Sequence, residues 1–159
     1  MERSIKDIEN EYVKIEKKFQ LPEFAKLIED FDVDKIAEKE GGILIRDVRR
    51  TINDKLSAYL HLFETLMNPS SPPIFVLTFL KNLTDDNRKL IKEIYKNLSK
   101  IQLSNMKLDT IFDEKKEAEF IKNSFNEWQP MKKKVYSLFG DFEQEFEKNS
   151  ESKEKSYFG

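Results

Sequence analysis

The chain contains no cysteine. Disulfides, zinc–thiolate centres, iron–sulfur clusters and cysteine nucleophiles are therefore excluded. It contains one histidine, so any catalytic or metal-binding imidazole must be His61. Four glycines are too few for a phosphate-cradling loop. Only Gly41 and Gly42 lie close together, and neither a P-loop nor a dinucleotide fingerprint can be built around them. The longest apolar run, IFVLTFL at residues 74–80, is far short of the ~20 residues that cross a bilayer. The opening MERSIKDIENEY has charges every few residues and no apolar h-region, which predicts that it is not a secretory signal. A cytoplasmic location with no membrane partner is the resulting expectation. Charge of one sign is also lacking. Thirty acidic residues nearly cancel 28 basic ones, and a net charge of −2 supplies no global field to attract nucleic acid.

What is abundant points to helices. Charged residues make up 36% of the 159 positions, against roughly 25% in an average domain. Long helices offer the solvated surface that so many charges need. Thirteen phenylalanines supply a core. The length suits one domain that needs no metal or disulfide staple. The expected organisation is a single helical-bundle domain at 1–147 followed by a disordered tail at 148–159, where KNSESKEKSYFG has no periodicity.

Hydrophobes recur at spacings of three and four in five segments. Ile5, Ile8, Tyr12, Ile15 and Phe19 form the first stripe, and Phe24, Leu27, Ile28 and Phe31 the second, with Pro22 expected at its first helical position. Residues 43–67 read as one long helix through Ile45, Val48, Ile52, Leu56, Tyr59, Phe63 and Leu66. The stretch NPSSPP then marks a corner. Asn68 is expected to take a left-handed C-terminal conformation, with Ser71 as the next N-cap and Pro72 as the first helical residue. IFVLTFL is consistent with helix or strand. Helix is preferred because a lone strand would leave its backbone unpaired. Being apolar on most sides, it is expected to be the most buried element. Thr84, followed by two aspartates, is the strongest cap and opens a helix through Leu90, Ile94, Leu98 and Ile101. Asp113 can cap the last helix. That helix carries Ile121, Phe125, Trp128, Lys132, Val135, Phe139, Phe142 and Phe146, and the phase holds across Pro130. The expected fold is all-α, an antiparallel four-helix-type bundle with additional short helices.

Candidate functional residues are few. Arg46, Arg49 and Arg50, at i, i+3, i+4, are three of five arginines, and guanidinium forks suit phosphate or carboxylate. Salt bridges to acids on neighbouring helices are the blander reading of the same face. With His61, the arginines make a candidate anion- or ligand-binding set, which implies a small nucleotide-binding bundle and possible enzyme. Lys132, Lys133 and Lys134 form a second basic cluster that, beside Arg49 and Arg50, gives a faint nucleic-acid footprint. His61 and Glu64 reverse the order of a bundle-type metal motif and no second histidine exists, so neither a metal nor a cofactor is expected. A serine triad would have to use His61, and no Gly-x-Ser-x-Gly elbow accompanies it. Trp128, Phe139, Phe142 and Phe146 are core candidates that become an interaction surface if the last helix outruns its neighbours. The favoured function is thus a non-catalytic interaction or assembly module, partnered by another protein or by a second copy. INDKLSAYLHL, residues 52–62, resembles the Asn-Arg-Leu-Ser-Asp-x-Leu segment of the cobalamin adenosyltransferases, a family of ATP-binding helical bundles. Asp54-Lys55 stand where that segment has one Arg, Ala58 replaces its acid, and no site residue is carried over.

Overall fold

The computed structural model describes residues 3–158, with side chains as far as residue 151. Among these described residues the chain forms six α-helices and one 3₁₀ turn, with no strand. Ser4 and Asp7 form a reciprocal capping box that starts α1 (Ile5–Phe19). Gln20, in the left-handed region at φ 55°, ends it. The Tyr12 hydroxyl donates to the Pro22 carbonyl at 2.7 Å and ties the following corner down. Burial holds the pKa of that phenol well above its ordinary value. α2 (Phe24–Phe31) starts two residues after Pro22, with Glu23 as its N-cap. Asp32, also left-handed, leads into a 3₁₀ turn at Val33–Glu38. The Asp32 carboxylate accepts from Lys55 at 2.9 Å and from Lys35 at 3.3 Å, which holds its pKa below the usual carboxylate range.

Three long helices pack against one another: α3 (Leu44–Met67), α5 (Asp85–Thr110) and α6 (Glu114–Phe158). Ion pairs and hydrogen bonds fix their directions. Arg49 of α3 meets Asp109 of α5, and Ser57 meets Gln102, so α3 and α5 are antiparallel. Lys134 of α6 reaches Glu93 of α5, whereas Arg49 reaches Glu117. α6 therefore runs antiparallel to α5 and parallel to α3. α1, α2 and the 3₁₀ turn cover α3, and α4 (Ile74–Leu80) lies against α6.

Two expectations at the corner are corrected. Asn68 has φ −136° and is not left-handed, and α4 begins at Ile74 behind Pro73 rather than behind Ser71. The run at 74–80 is helical, but it is not the most buried element. Only Val76 is buried, while Ile74 is 86% exposed and Phe75 and Leu77 are exposed as well. A seven-residue helix packed mainly against α6 covers only part of its circumference.

Thr84 caps α5 by accepting from the Asn87 amide at 3.1 Å, and Asp113 caps α6 by accepting from the Lys116 amide at 3.1 Å. α6 continues unbroken through Pro130. Trp128, Met131 and Val135 are buried on either side of that residue, and their packing keeps the helical phase. Its backbone remains helical to Phe158, across the segment read from sequence as a disordered tail; Gly159 lies outside the described residues. Among the described side chains of α6, the last buried one is Phe142. No helix among the described residues is long and apolar enough to cross a membrane.

Candidate functional site

Residues at the start of α3 hold the most concentrated chemistry. Val48 and Ile52 face the core, and helical spacing carries Arg49 inward beside them, where its side chain is fully buried. Its Nε donates to Glu117 Oε2 at 2.7 Å, and Nη2 donates to Glu117 Oε1 at 3.3 Å. This fork-to-fork geometry is the strong form of a guanidinium–carboxylate pair. Nη1 donates to Asp109 Oδ1 at 2.9 Å and to Asn105 Oδ1. Burial opposes the charge on Arg49, yet its bonds to Glu117 and Asp109 hold the guanidinium pKa above its ordinary value. Burial of Asp109 likewise favours its neutral form, but Arg49 and then Arg50 outweigh it, and its carboxyl sits below the usual range.

All three arginines converge on Asp109. Arg50 Nε lies 3.3 Å from its carboxylate, and Arg46 Nη2 donates to its backbone carbonyl at 3.4 Å. Asp109 lies in the last turn of α5, where cations also suit the negative end of the helix dipole. The cluster thus joins α3, α5 and α6 at one end of the bundle. Arg49 and Arg50 pair with acids of the same chain, whereas Arg46 bonds a backbone carbonyl and its buried Nε has no partner among the described residues.

His61 is not part of this cluster. It stands eleven residues beyond Arg50 on α3, about 16 Å along the axis. Its side chain is 79% exposed, and its Nδ1 lies 3.5 Å from Glu64. A hollow of about 560 Å³ beside it is lined by Glu64, Thr65, Met67, Asn68 and Tyr95, without an arginine. A cleft of about 510 Å³ between α5 and α6 contains Lys100, Lys107, Phe112, Lys116, Glu119 and Glu127 among its lining residues, again without Arg46, Arg49 or Arg50. Among the described residues, no group of three histidines or carboxylates could hold a metal ion.

The lysine cluster is spread over separate partners. Lys132, the one polar residue on the α6 stripe, pairs with the largely buried Asp30 at 2.9 Å. Gln129 donates to the same carboxylate. Lys134 pairs with Glu93 at 2.7 Å, and Lys133 is exposed. With Arg49 internal, the two basic clusters do not form one surface.

The aromatic set divides by depth. Trp128 is buried between Tyr59 and Phe31, with ring centroids 5.0 and 6.4 Å away. Phe142 is buried and stacks on Phe79 of α4 at 4.7 Å, with the rings 7° from parallel. Phe139 is partly buried beside it, and Phe75 meets Phe79 edge-on at 5.9 Å. Phe146, one turn beyond Phe142, is 48% exposed. Of the four aromatic candidates, Phe146 is therefore the one that is exposed. Ile74, Phe75 and Leu77 add exposed apolar surface on α4 at the same end of the molecule. Residues 65–84 carry one charge, Lys81, in a chain that is 36% charged.

A further surface was missed in the sequence reading. Residues 88–107 contain six cations, Arg88, Lys89, Lys92, Lys96, Lys100 and Lys107, against one acid, Glu93. All six cations are exposed and fall within one third of the α5 circumference at 100° per residue. The signal was legible as a local charge run, but near-neutral overall composition hid it. No protein-family model, curated protein or solved structure matches this chain.

Proposed function

We propose that this all-helical protein is a non-catalytic interaction and assembly module that self-associates through the end of the bundle formed by α4, the start of α5 and the end of α6. The observation that carries this reading is the exposed apolar face of Ile74, Phe75 and Leu77 on α4, backed by Phe79 and Phe142. A short helix with this much apolar surface in water gains free energy by being covered. The uncharged surroundings at 65–84 suit a partner surface and impose little desolvation cost. At the opposite end, the arginines are engaged internally, which favours a structural role there over ligand capture.

The test is light scattering and sedimentation across micromolar concentrations, comparing the wild type with Ile74→Glu/Phe75→Glu. The expected result is concentration-dependent association of the wild type and its loss in the variant, with helical circular dichroism retained in both. A strict monomer at every concentration would count against the module.

A further inference from the structure

Two oppositely charged helical surfaces lie near one end of this molecule, and neither is satisfied among the described residues. The first is the outer face of α5. None of Arg88, Lys89, Lys92, Lys96, Lys100 and Lys107 has a carboxylate within ion-pair distance among the described residues, whereas Glu93 is engaged by Lys134. The second is the end of α6. Beyond Phe142, residues 143–158 extend for about 24 Å as helix. Across residues 143–158 the charges are Glu143, Glu145, Glu147, Glu151 and Glu154 against Lys148, Lys153 and Lys155, with the acids concentrated in the first half. Lys148 lies 3.7 Å from Glu145, which leaves Glu143, Glu147 and Glu151 as a row at i, i+4, i+8 with Phe146 beside it. Lys92, Lys96 and Lys100 repeat at that same i, i+4, i+8 spacing, so the rows match step for step.

We infer that the α6 extension of one copy docks on the α5 basic face of a second copy, and the reverse, in a two-fold arm exchange. This rests on the self-association proposed above and specifies its partner surfaces. The geometry allows both contacts at once. Lys134 beside Glu93 sets α6 antiparallel to α5, so the α6 extension leaves the bundle past the N-terminus of α5. When two copies meet at these ends about a two-fold axis, each extension enters alongside the N-terminal half of the other copy's α5 and runs parallel to it. The α4 faces then lie near the axis, as an isologous interface requires. Two helix-on-helix strips of roughly 24 Å by 10 Å, with the α4 faces, approach the ~800 Å² per partner of a stable dimer. The same face of α5 also carries the exposed Leu103 and Met106, further along from its N-terminus.

Charge reversal tests the exchange in the full chain. One variant combines Glu143→Lys, Glu147→Lys and Glu151→Lys; the other combines Lys92→Glu, Lys96→Glu and Lys100→Glu. These side chains are exposed, and circular dichroism checks that both variants fold. In low salt the wild type is expected to be dimeric. Each variant alone is expected to lose dimerisation at least tenfold, and their equimolar mixture to form a heterodimer, because both of its arm contacts are then complementary. Wild-type dimerisation should weaken as salt is raised. Failure of the mixture to associate overturns the exchange. So does dimerisation of both variants at wild-type strength, and if Ile74→Glu/Phe75→Glu is monomeric in that case, the α4 reading survives alone. A wild type that stays monomeric in low salt removes both readings. A wild type that stays monomeric while its α5 lysines bind short duplex DNA or anionic vesicles reassigns that face to a polyanion.

Discussion

Removing the guanidinium of Arg49 would leave Glu117 as a buried carboxylate without a counter-ion. Breaking such a pair costs about 3–5 kcal/mol, whereas replacing both partners by apolar groups is often neutral. Arg49→Met is therefore expected to lower urea-unfolding stability by that amount, and Arg49→Met/Glu117→Met to recover most of it. An Arg49→Met protein as stable as wild type would show that the pair is not holding the helices. Asp109 adds a pH dependence. Its carboxyl is depressed by Arg49 and Arg50, so its contribution is complete above the unfolded carboxylate pKa, near 3.9, and is lost as pH falls through the lower folded value. Asp32, held by Lys55 and Lys35, contributes in the same direction. Thermal melts should thus drop as pH falls below about 4, and Asp109→Asn should soften that drop. An unchanged acid limb in the variant would remove Asp109 from the account. The triplet of arginines was visible in the sequence, and so was its salt-bridged reading. The burial of one member was not, because its partners lie 56 to 68 residues away.

At the scale of elements, the stripes were legible wherever a helix is long enough to show several turns. The α3 stripe from Ile45 to Leu66 and the α6 stripe from Ile121 to Phe142 face the core as their spacing implied, apart from the partly buried Tyr59, Phe125 and Phe139 and from Lys132 with its own partner. The α4 run could not be read this way. Its composition gave the expectation of deep burial, but burial depends on how many neighbours surround an element, and this one has α6 on one side and water on others. Lys132 in an apolar stripe made sense only once Asp30 was found opposite it. Gly140 gives a clean test of the propensity argument. A methyl group added there meets nothing within 4 Å, so Gly140→Ala should stabilise α6 by roughly 0.5–1 kcal/mol in chemical denaturation. A destabilised variant would mean that the backbone at that point is strained in a way helical geometry does not suggest.

The whole molecule has two unlike ends. One is clasped by Arg49, Glu117, Asp109 and Asn105, which join three helices. The other is closed by aromatic stacking of Phe79 on Phe142 and continues outward as a single helix. Single-sequence reading gave the all-α class, but not this asymmetry, because it arises from how far each helix travels before its neighbours stop. The clasp has a kinetic consequence. When the protein breathes, it should fray from the α4 side, so amide protons in α4 and in the last turns of α6 should trade with deuterated solvent within the shortest labelling times. Those around Arg49, Asn105 and Glu117 should wait for complete unfolding. The protein would then behave as a zipper with a stitched base, and any partner, a second copy included, would meet it at the teeth.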